Sequence, residues 1–359
     1  MQKAEHDRTL LLTTRYSAAI FFGAAILYFG KTLFIPLSYS LLIAIVLYPI
    51  CRKLENRGWP RSLAISLGLS IVALMFLAIL ALLVLQVGTL RKDIPELRLR
   101  LQPALEQFQR WLAANLGLSD SLQQGWWTRT LDSIGDNTGT WFLGLSNALF
   151  VLFLVPAFSA LLLYNRRQFV QMLEDVCGPA YQGRLHRILD QTVHTYFQFI
   201  RGMIAVYFVV GVLNSIGLLA LGIRHALLFG FLTAIMTIVP YVGIIISSLL
   251  PISVAWITHD SVWYPLGVVA VFGFVQYLEA NVIFPRIVAA RLDVSTFATL
   301  IAIIAGGILW GVSGMILFIP FIGILKIVSG QIPEWKSLNR FLARGIPATA
   351  NKPGKNNQS

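Results

Sequence analysis

Charge is what this chain has least of. Asp, Glu, Lys and Arg make up 12% of its 359 residues, where a soluble globular chain carries roughly 25%. Apolar residues reach 57%, the mean hydropathy is +0.72, and the apolar excess is gathered into long runs. Lipid is therefore the solvent for most of the chain. Cysteine is almost missing: Cys51 and Cys177 are the only two. Both fall in segments read as cytoplasmic, so no disulfide is expected. Neither has His or Cys neighbours at ligand spacing, so neither a metal site nor a cofactor is expected. Enzyme constellations are missing too. There is no phosphate loop, no His-Glu-x-x-His and no nucleophile elbow, and His186 and His194 read as surface residues. The chain is not expected to be an enzyme, and without a nucleotide site it is not expected to be a primary pump.

What is present is a series of apolar runs, near 16–30, 33–50, 62–88, 141–164, 202–222, 226–257, 262–285 and 296–326. A span needs about 20 apolar residues, so the fold class is an all-α integral membrane protein with about eight hydrophobic segments. A charged stretch, residues 1–15, precedes the first run with no convincing cleavage site, which reads as an uncleaved first span. Lys31 to Pro36 alone separate the first two runs, which predicts a tight helical hairpin. Aromatic residues mark the run edges, Trp59, Trp141, Trp263, Tyr264 and Trp335 among them.

The net charge of +12 does not point to nucleic acid, because Lys and Arg sit in short blocks between the runs, where they orient a membrane protein. Arg52, Lys53, Arg57 and Arg61 form one block; Arg166, Arg167, Arg184 and Arg187 a second; Lys336, Arg340, Arg344, Lys352 and Lys355 a third. All three are expected on the cytoplasmic side, with both termini, which leaves 89–140 outside. Two polar stretches are predicted as amphipathic helices, on the membrane surface or against a neighbouring subunit. The first, in 89–140, has the stripe Leu97, Leu101, Leu105, Phe108 and Leu112; the second, in 165–200, has Leu185, Ile188, Leu189, Thr192 and Tyr196.

Runs 226–257 and 296–326 are too long for simple anchors, since each would extend roughly 46 Å against a hydrocarbon core of roughly 30 Å. Each is a long tilted span or a re-entrant hairpin. With two hairpins beside six full spans, Arg286 and Arg291 fall inside, where the charge rule prefers them; with eight plain spans they fall outside. Ile238-Val-Pro-Tyr-Val-Gly-Ile-Ile245 also resembles Phe318-Ile-Pro-Phe-Ile-Gly-Ile-Leu325, as an internal inverted repeat would.

Several residues in these runs are candidates for function. Pro240, Tyr241 and Gly243 form a break whose freed carbonyls would have to line a cavity or meet protein; a plain kink is the simpler alternative. Glu279 is the one acidic residue inside an apolar run of the C-terminal half. A carboxylate there needs a cavity or a partner, so it is expected to bind a proton or cation, to bond a polyol, or to form a structural ion pair. Gln276 and Arg286 fall on roughly the same side if the helix persists past Pro285. Asn214 and Asn281 are further polar groups in or beside spans. Gly306, Gly307, Gly311 and Gly314 make a small-residue face suited to close packing, and Pro320 is a second break candidate.

Across residues 195–328, motif order and spacing resemble one family. Arg201-Gly-Met, Leu221-Gly-Ile, Leu228-Phe-Gly, Ile238-Val-Pro-Tyr-Val-Gly, Leu278-Glu-Ala-Asn-Val-Ile-Phe-Pro285 and Gly306-Gly-Ile-Leu-Trp-Gly-Val-Ser-Gly314 are similar to the autoinducer-2 exporter family of bacterial permeases. One departure follows Arg291-Leu-Asp, where Val294-Ser-Thr stands in place of a frequent His-Pro pair. The resemblance implies a multi-pass transporter of the bacterial inner membrane, moving a small polar solute such as the quorum-sensing autoinducer-2, with H⁺ or Na⁺ as coupling ion. It also implies the alternative of Na⁺(Li⁺)/H⁺ antiport. A non-transporting scaffold is a third reading, and a homo-oligomer is expected. The implied organisation is helices one to three (1–88), an exterior segment (89–140), a fourth span with cytoplasmic amphipathic helices (141–200), a transport core with broken helices (201–328) and a basic tail (329–359).

Overall fold

A computed structural model describes residues 17–18, 21–78, 81, 153–239, 242–259, 261–289 and 293–344. The amphipathic segment 89–140, Arg291, Pro240 and Tyr241 lie outside the described residues, as do 345–359 of the tail. Helix α1 covers 21–29, α2 Lys31–Glu55, α3 Arg61–Ala78 and α4 Phe153–Tyr164. They are followed by α5 Arg166–Cys177, α6 Gln182–Ala220, α7 Ala226–Met236, α8 Val242–Thr258 and α9 Trp263–Leu278, then α10 Thr296–Trp310, α11 Val312–Gln331 and α12 Lys336–Leu342. Among the described residues there is no strand, only an isolated bridge between Val294 and Ala343. Among the described residues five helices are long and apolar enough to cross a bilayer: α2, α3, α6, the extended α9 to Val288, and α11. The chain is an all-α integral membrane protein.

Two expectations about the N-terminal runs and the second polar stretch change. No loop separates the first two apolar runs, because α1 joins α2 through Gly30 alone. Gly30 N donates to Ile26 O at 2.8 Å and Phe34 N to Gly30 O at 3.0 Å, so Lys31 to Pro36 form the opening of α2. Pro36 costs the helix one donor, and Ser40 Oγ donates to its carbonyl at 2.6 Å. Lys31 rests its ammonium 5.3 Å from the Tyr28 ring centre. The second amphipathic stretch is not a separate surface helix either. Its stripe runs into the following apolar run as one helix of 39 residues, about 58 Å long. Thr192 and Tyr196 are buried, whereas Arg187 and Asp190 are exposed.

The chain divides into two compact units. Unit 1 comprises Met1–Lys53, Leu162–Met203 and Phe284–Ser359. Its centre is the hairpin of α10 and α11. Gly311 makes the turn at φ 60° and ψ −139°, a backbone that side chains disfavour. Past it, Gly306 and Gly314 lie so close that a Cβ on either would overlap backbone of the other. Pro320 is a packed interior residue of α11, not a break: it is buried and its carbonyl accepts the Tyr196 hydroxyl of α6. Trp310 Nε1 donates to Leu27 O at 2.8 Å, which ties α10 to α1. Ser295 caps α10 by accepting from Ala298 N at 3.2 Å.

Unit 2 comprises Leu54–Leu161 and Ile204–Ile283. The long run 226–257 in this unit is also a hairpin. Ala226 and Phe229 at the start of α7 share a buried cluster with Val254 and Ala255 at the end of α8, which requires the two helices to run back along each other. At the turn, a side chain on Gly243 would overlap Met236 backbone. Helix α7 has 11 residues and α8 has 17, about 16 and 26 Å, so neither reaches across the roughly 30 Å hydrocarbon core. Leu218 of α6 and Val268 and Phe272 of α9 complete the cluster. The two copies of the Pro-aromatic motif occupy different places. The first begins at the hairpin turn of unit 2, and the second lies in mid-helix in unit 1, so they are not equivalent positions of a structural repeat.

Candidate functional site

Three buried polar groups of unit 2, Asn214, Thr233 and Glu279, lie on α6, on α7 and at the end of α9, and α6 packs closely against each of the other two helices. Small residues permit the approach. A Cβ on Gly217 of α6 would overlap the side chain of Val271 on α9, and one on Gly230 of α7 would overlap Ser215 of α6. A Cβ on Gly211 would meet the Phe231 ring at 2.7 Å. Helices α6 and α9 run in opposite directions from the Gly217–Val271 contact, which brings Tyr207 within electrostatic reach of Glu279.

Glu279 continues a core-facing stripe. Val268, Phe272, Val275 and Glu279 recur at helical spacing and are all buried, and Glu279 is 8% exposed. Its Oε2 has no hydrogen-bond partner among the described residues. Asn214 of α6 is 2% exposed and Thr233 of α7 is 1% exposed, and Asn214 Oδ1 and Thr233 Oγ1 are likewise unpartnered there. Ser215, next to Asn214, is satisfied by donating to Gly211 O at 2.7 Å. In lipid each unsatisfied oxygen is expensive. Three of them, on α6, on α7 and at the end of α9, are groups that could take a proton, a cation or a hydroxyl donor.

Glu279 also starts a π-helical turn, Glu279–Ile283, and a second runs from Pro285 to Ala289. Such turns recur at functional sites. They carry the helix through Pro285, which neither ends it nor opens a loop. They also shift its phase, so the expected row of Gln276, Glu279 and Arg286 does not form. Gln276 is half-buried, Glu279 buried, and Arg286, in unit 1, exposed. Asn281 is exposed and donates to Tyr277 O of its own helix at 2.9 Å. Gly243 packs at the α7–α8 turn, and Gly307 meets only the flexible Met315 side chain. Among the sequence candidates, Glu279 and Asn214 are therefore the two that are buried with an oxygen unpartnered among the described residues.

Thr233 and Tyr207 join them without having been singled out in the sequence. Threonine in a membrane helix ordinarily bonds its own preceding turn, so nothing local marks Thr233. Unit 1 holds a further pair that sequence reading passed over: Lys326 of α11 and Asp293 form an ion pair. Their separation in the chain and the place of Lys326 near a run's end hid it.

The family model described as AI-2E family transporter matches residues 17–334. The chain is 27% identical to "Putative transport protein YrrI" of Bacillus subtilis (strain 168) over 316 residues, 83% of this chain and 86% of that one. It is 24% identical to "AI-2 transport protein TqsA" of Escherichia coli (strain K12) over 322 residues, 86% of this chain and 89% of the relative. A 24% identical alignment with "Putative transport protein YhhT" of the same organism covers 97% of this chain and 98% of the relative. With nearly its whole length matched and several helices built to cross a bilayer, this chain belongs to the AI-2E transporter family and is a multi-pass membrane transporter.

Proposed function

We propose that the chain is a secondary transporter that exports a small polar organic solute at the expense of an ion gradient, with Glu279 as the coupling carboxylate. The observation that carries this reading is the buried, unpartnered Glu279 Oε2, with the unpartnered oxygens of Asn214 and Thr233 buried in the same unit. A carboxylate kept at such cost belongs to a species that comes and goes. Protonation or cation binding would cancel its charge, and the α7–α8 hairpin supplies a short helix pair able to move without unravelling a full span. Pro240, Tyr241 and Gly243 would let that hairpin turn. Autoinducer-2 is the first cargo to try, because TqsA is named for its transport. The basic blocks put both termini on the cytoplasmic face, and the exposed apolar faces of unit 1 and unit 2 suit a homo-oligomer in the bilayer.

Everted membrane vesicles test the reading. Labelled autoinducer-2 should accumulate when an outward-directed H⁺ or Na⁺ gradient, with the ion concentrated in the lumen, is dissipated through the protein, and should not in vesicles lacking it. Na⁺(Li⁺)/H⁺ antiport is the second reading, favoured by the same carboxylate. It predicts an alkaline-side dye-dequenching response to added Na⁺ or Li⁺ with no organic solute present. A scaffold is left only if purified protein in liposomes moves neither solute nor ion while deletion of 89–140 abolishes both oligomers and phenotype.

A further inference from the structure

Unit 1 contains a cavity of about 420 Å³, inside the range of roughly 300–1,000 Å³ usual for small-molecule sites. Gln191 and Thr195 of α6, Asp293 before α10, Lys326 and Gln331 of α11, and Asn339 of α12 line it. It does not touch Glu279 or the polar interior of unit 2, and the transport reading makes no use of it. We infer that this cavity binds a small hydroxylated organic anion, whose charged group takes the place of Asp293 on Lys326.

The sign of the ligand follows from the burial of the ion pair. Lys326 is the only charged residue of α11, and its side chain is 16% exposed, against 58% for Asp293. If a cation displaced Lys326, a largely buried ammonium would lose its partner, which is strongly unfavourable. If an anion displaced Asp293, the ammonium would stay neutralised and the freed carboxylate would sit in water at little cost. Asp293 is therefore the exchangeable member and Lys326 the fixed one.

The rest of the lining supplies neutral hydrogen bonding. Gln331 Nε2 reaches Gln191 Oε1 at 3.5 Å, beyond good hydrogen-bond length, so both amides can turn to ligand hydroxyls and lose little. The Thr195 hydroxyl adds a donor and acceptor. Asn339 holds the wall in place: its amide nitrogen donates to Lys326 O at 2.9 Å and Ser329 Oγ at 3.1 Å. Ser295 N also donates to Leu342 O at 2.7 Å, a second tie that holds α12. One fixed cation beside several amides and a hydroxyl recognises an anion that also carries hydroxyl groups. That chemistry is shared by a soluble hydroxylated phosphate or carboxylate and by a glycerol-bearing anionic lipid headgroup.

The test uses the full-length protein, titrated calorimetrically in detergent with glycerol 3-phosphate, glycerate and neutral glycerol. Native mass spectrometry in nanodiscs with phosphatidylglycerol or phosphatidylcholine forms the lipid arm. Either anionic soluble probe should bind, or phosphatidylglycerol should be retained in preference to phosphatidylcholine; which arm responds identifies the source. In that arm Lys326→Gln should weaken binding by about ten-fold or more, the loss of a charge-assisted bond, and Lys326→Arg should keep most of it. Asp293→Asn should tighten it several-fold by removing the competing carboxylate, an effect that damage to the fold would not produce. If Lys326→Gln fails to fold, Lys326→Arg and Asp293→Asn decide. Glycerol binding as well as the anions, Asp293→Asn failing to tighten, or no probe held by wild type and Asp293→Asn alike, would each overturn the inference.

Discussion

Gly306 and Gly314 hold the α10–α11 hairpin at a spacing no side chain permits, so alanine at either site should loosen unit 1 measurably. The added Cβ meets backbone of the opposite helix, which cannot rotate away as a side chain can. Overpacking of that kind costs about 1–3 kcal/mol. At roughly 2–4 °C per kcal/mol, the scale for chains of some 150–250 residues, the apparent Tm should fall by about 2–12 °C. Gly307→Ala is the internal control. Its Cβ meets the Met315 methyl at 2.9 Å, the free end of a flexible side chain, so the shift should stay within about 1 °C. Fluorescence-detected size exclusion after stepwise heating in one detergent reads all three variants together. The packing argument fails if Gly306→Ala and Gly314→Ala melt with wild type, or if Gly307→Ala is the least stable of the set.

Two other expectations concern the fold. Ser295→Ala removes the α10 cap at Ala298 N and a bond to Phe341 O, and should cost about 0.5–2 kcal/mol, read as a lower melting point with faster proteolysis at the loop before α10. Tyr196→Phe removes the hydroxyl that Pro320 O accepts; losing that buried bond should cost about 0.5–1.5 kcal/mol, and Tyr196→Leu should cost more by losing the ring as well. A third concerns the site. Asn214→Leu and Thr233→Val replace unpartnered buried oxygens with apolar groups of similar size, so both should keep or raise the melting point while lowering transport; a loss of stability in step with activity would mark these residues as structural.

Much of the architecture was legible because it depends on composition and run length. Low charge and long apolar runs forced a helical membrane protein, and the excess length of 226–257 and 296–326 pointed to hairpins. The turn of the second one was misplaced. Proline attracts attention as a breaker, yet Pro320 is accommodated inside α11, whereas Gly311 turns the chain through a backbone angle that sequence does not display. The Lys31–Pro36 segment misled for the opposite reason. A lysine beside a proline looks like a loop, but Lys31 can turn its ammonium over Tyr28 and leave the helix intact. Glu279 was visible because an acid in an apolar run is chemically anomalous. Its companions were not: Thr233 is an ordinary residue for a membrane helix, and only the folded structure shows its hydroxyl buried and unpartnered among the described residues. The Lys326–Asp293 pair was out of reach because it joins α11 to a loop before α10.

The central claim is that Glu279 couples transport to an ion gradient, and the most direct measurement compares two modes in the same proteoliposomes. Solute exchange at equal concentrations needs no gradient; accumulation against a gradient does. Glu279→Gln keeps the size and hydrogen-bonding of the side chain while fixing it uncharged. The account predicts that this variant exchanges solute yet accumulates none, with no dependence on pH or Na⁺. Accumulation by Glu279→Gln at the wild-type rate across the pH range would contradict it.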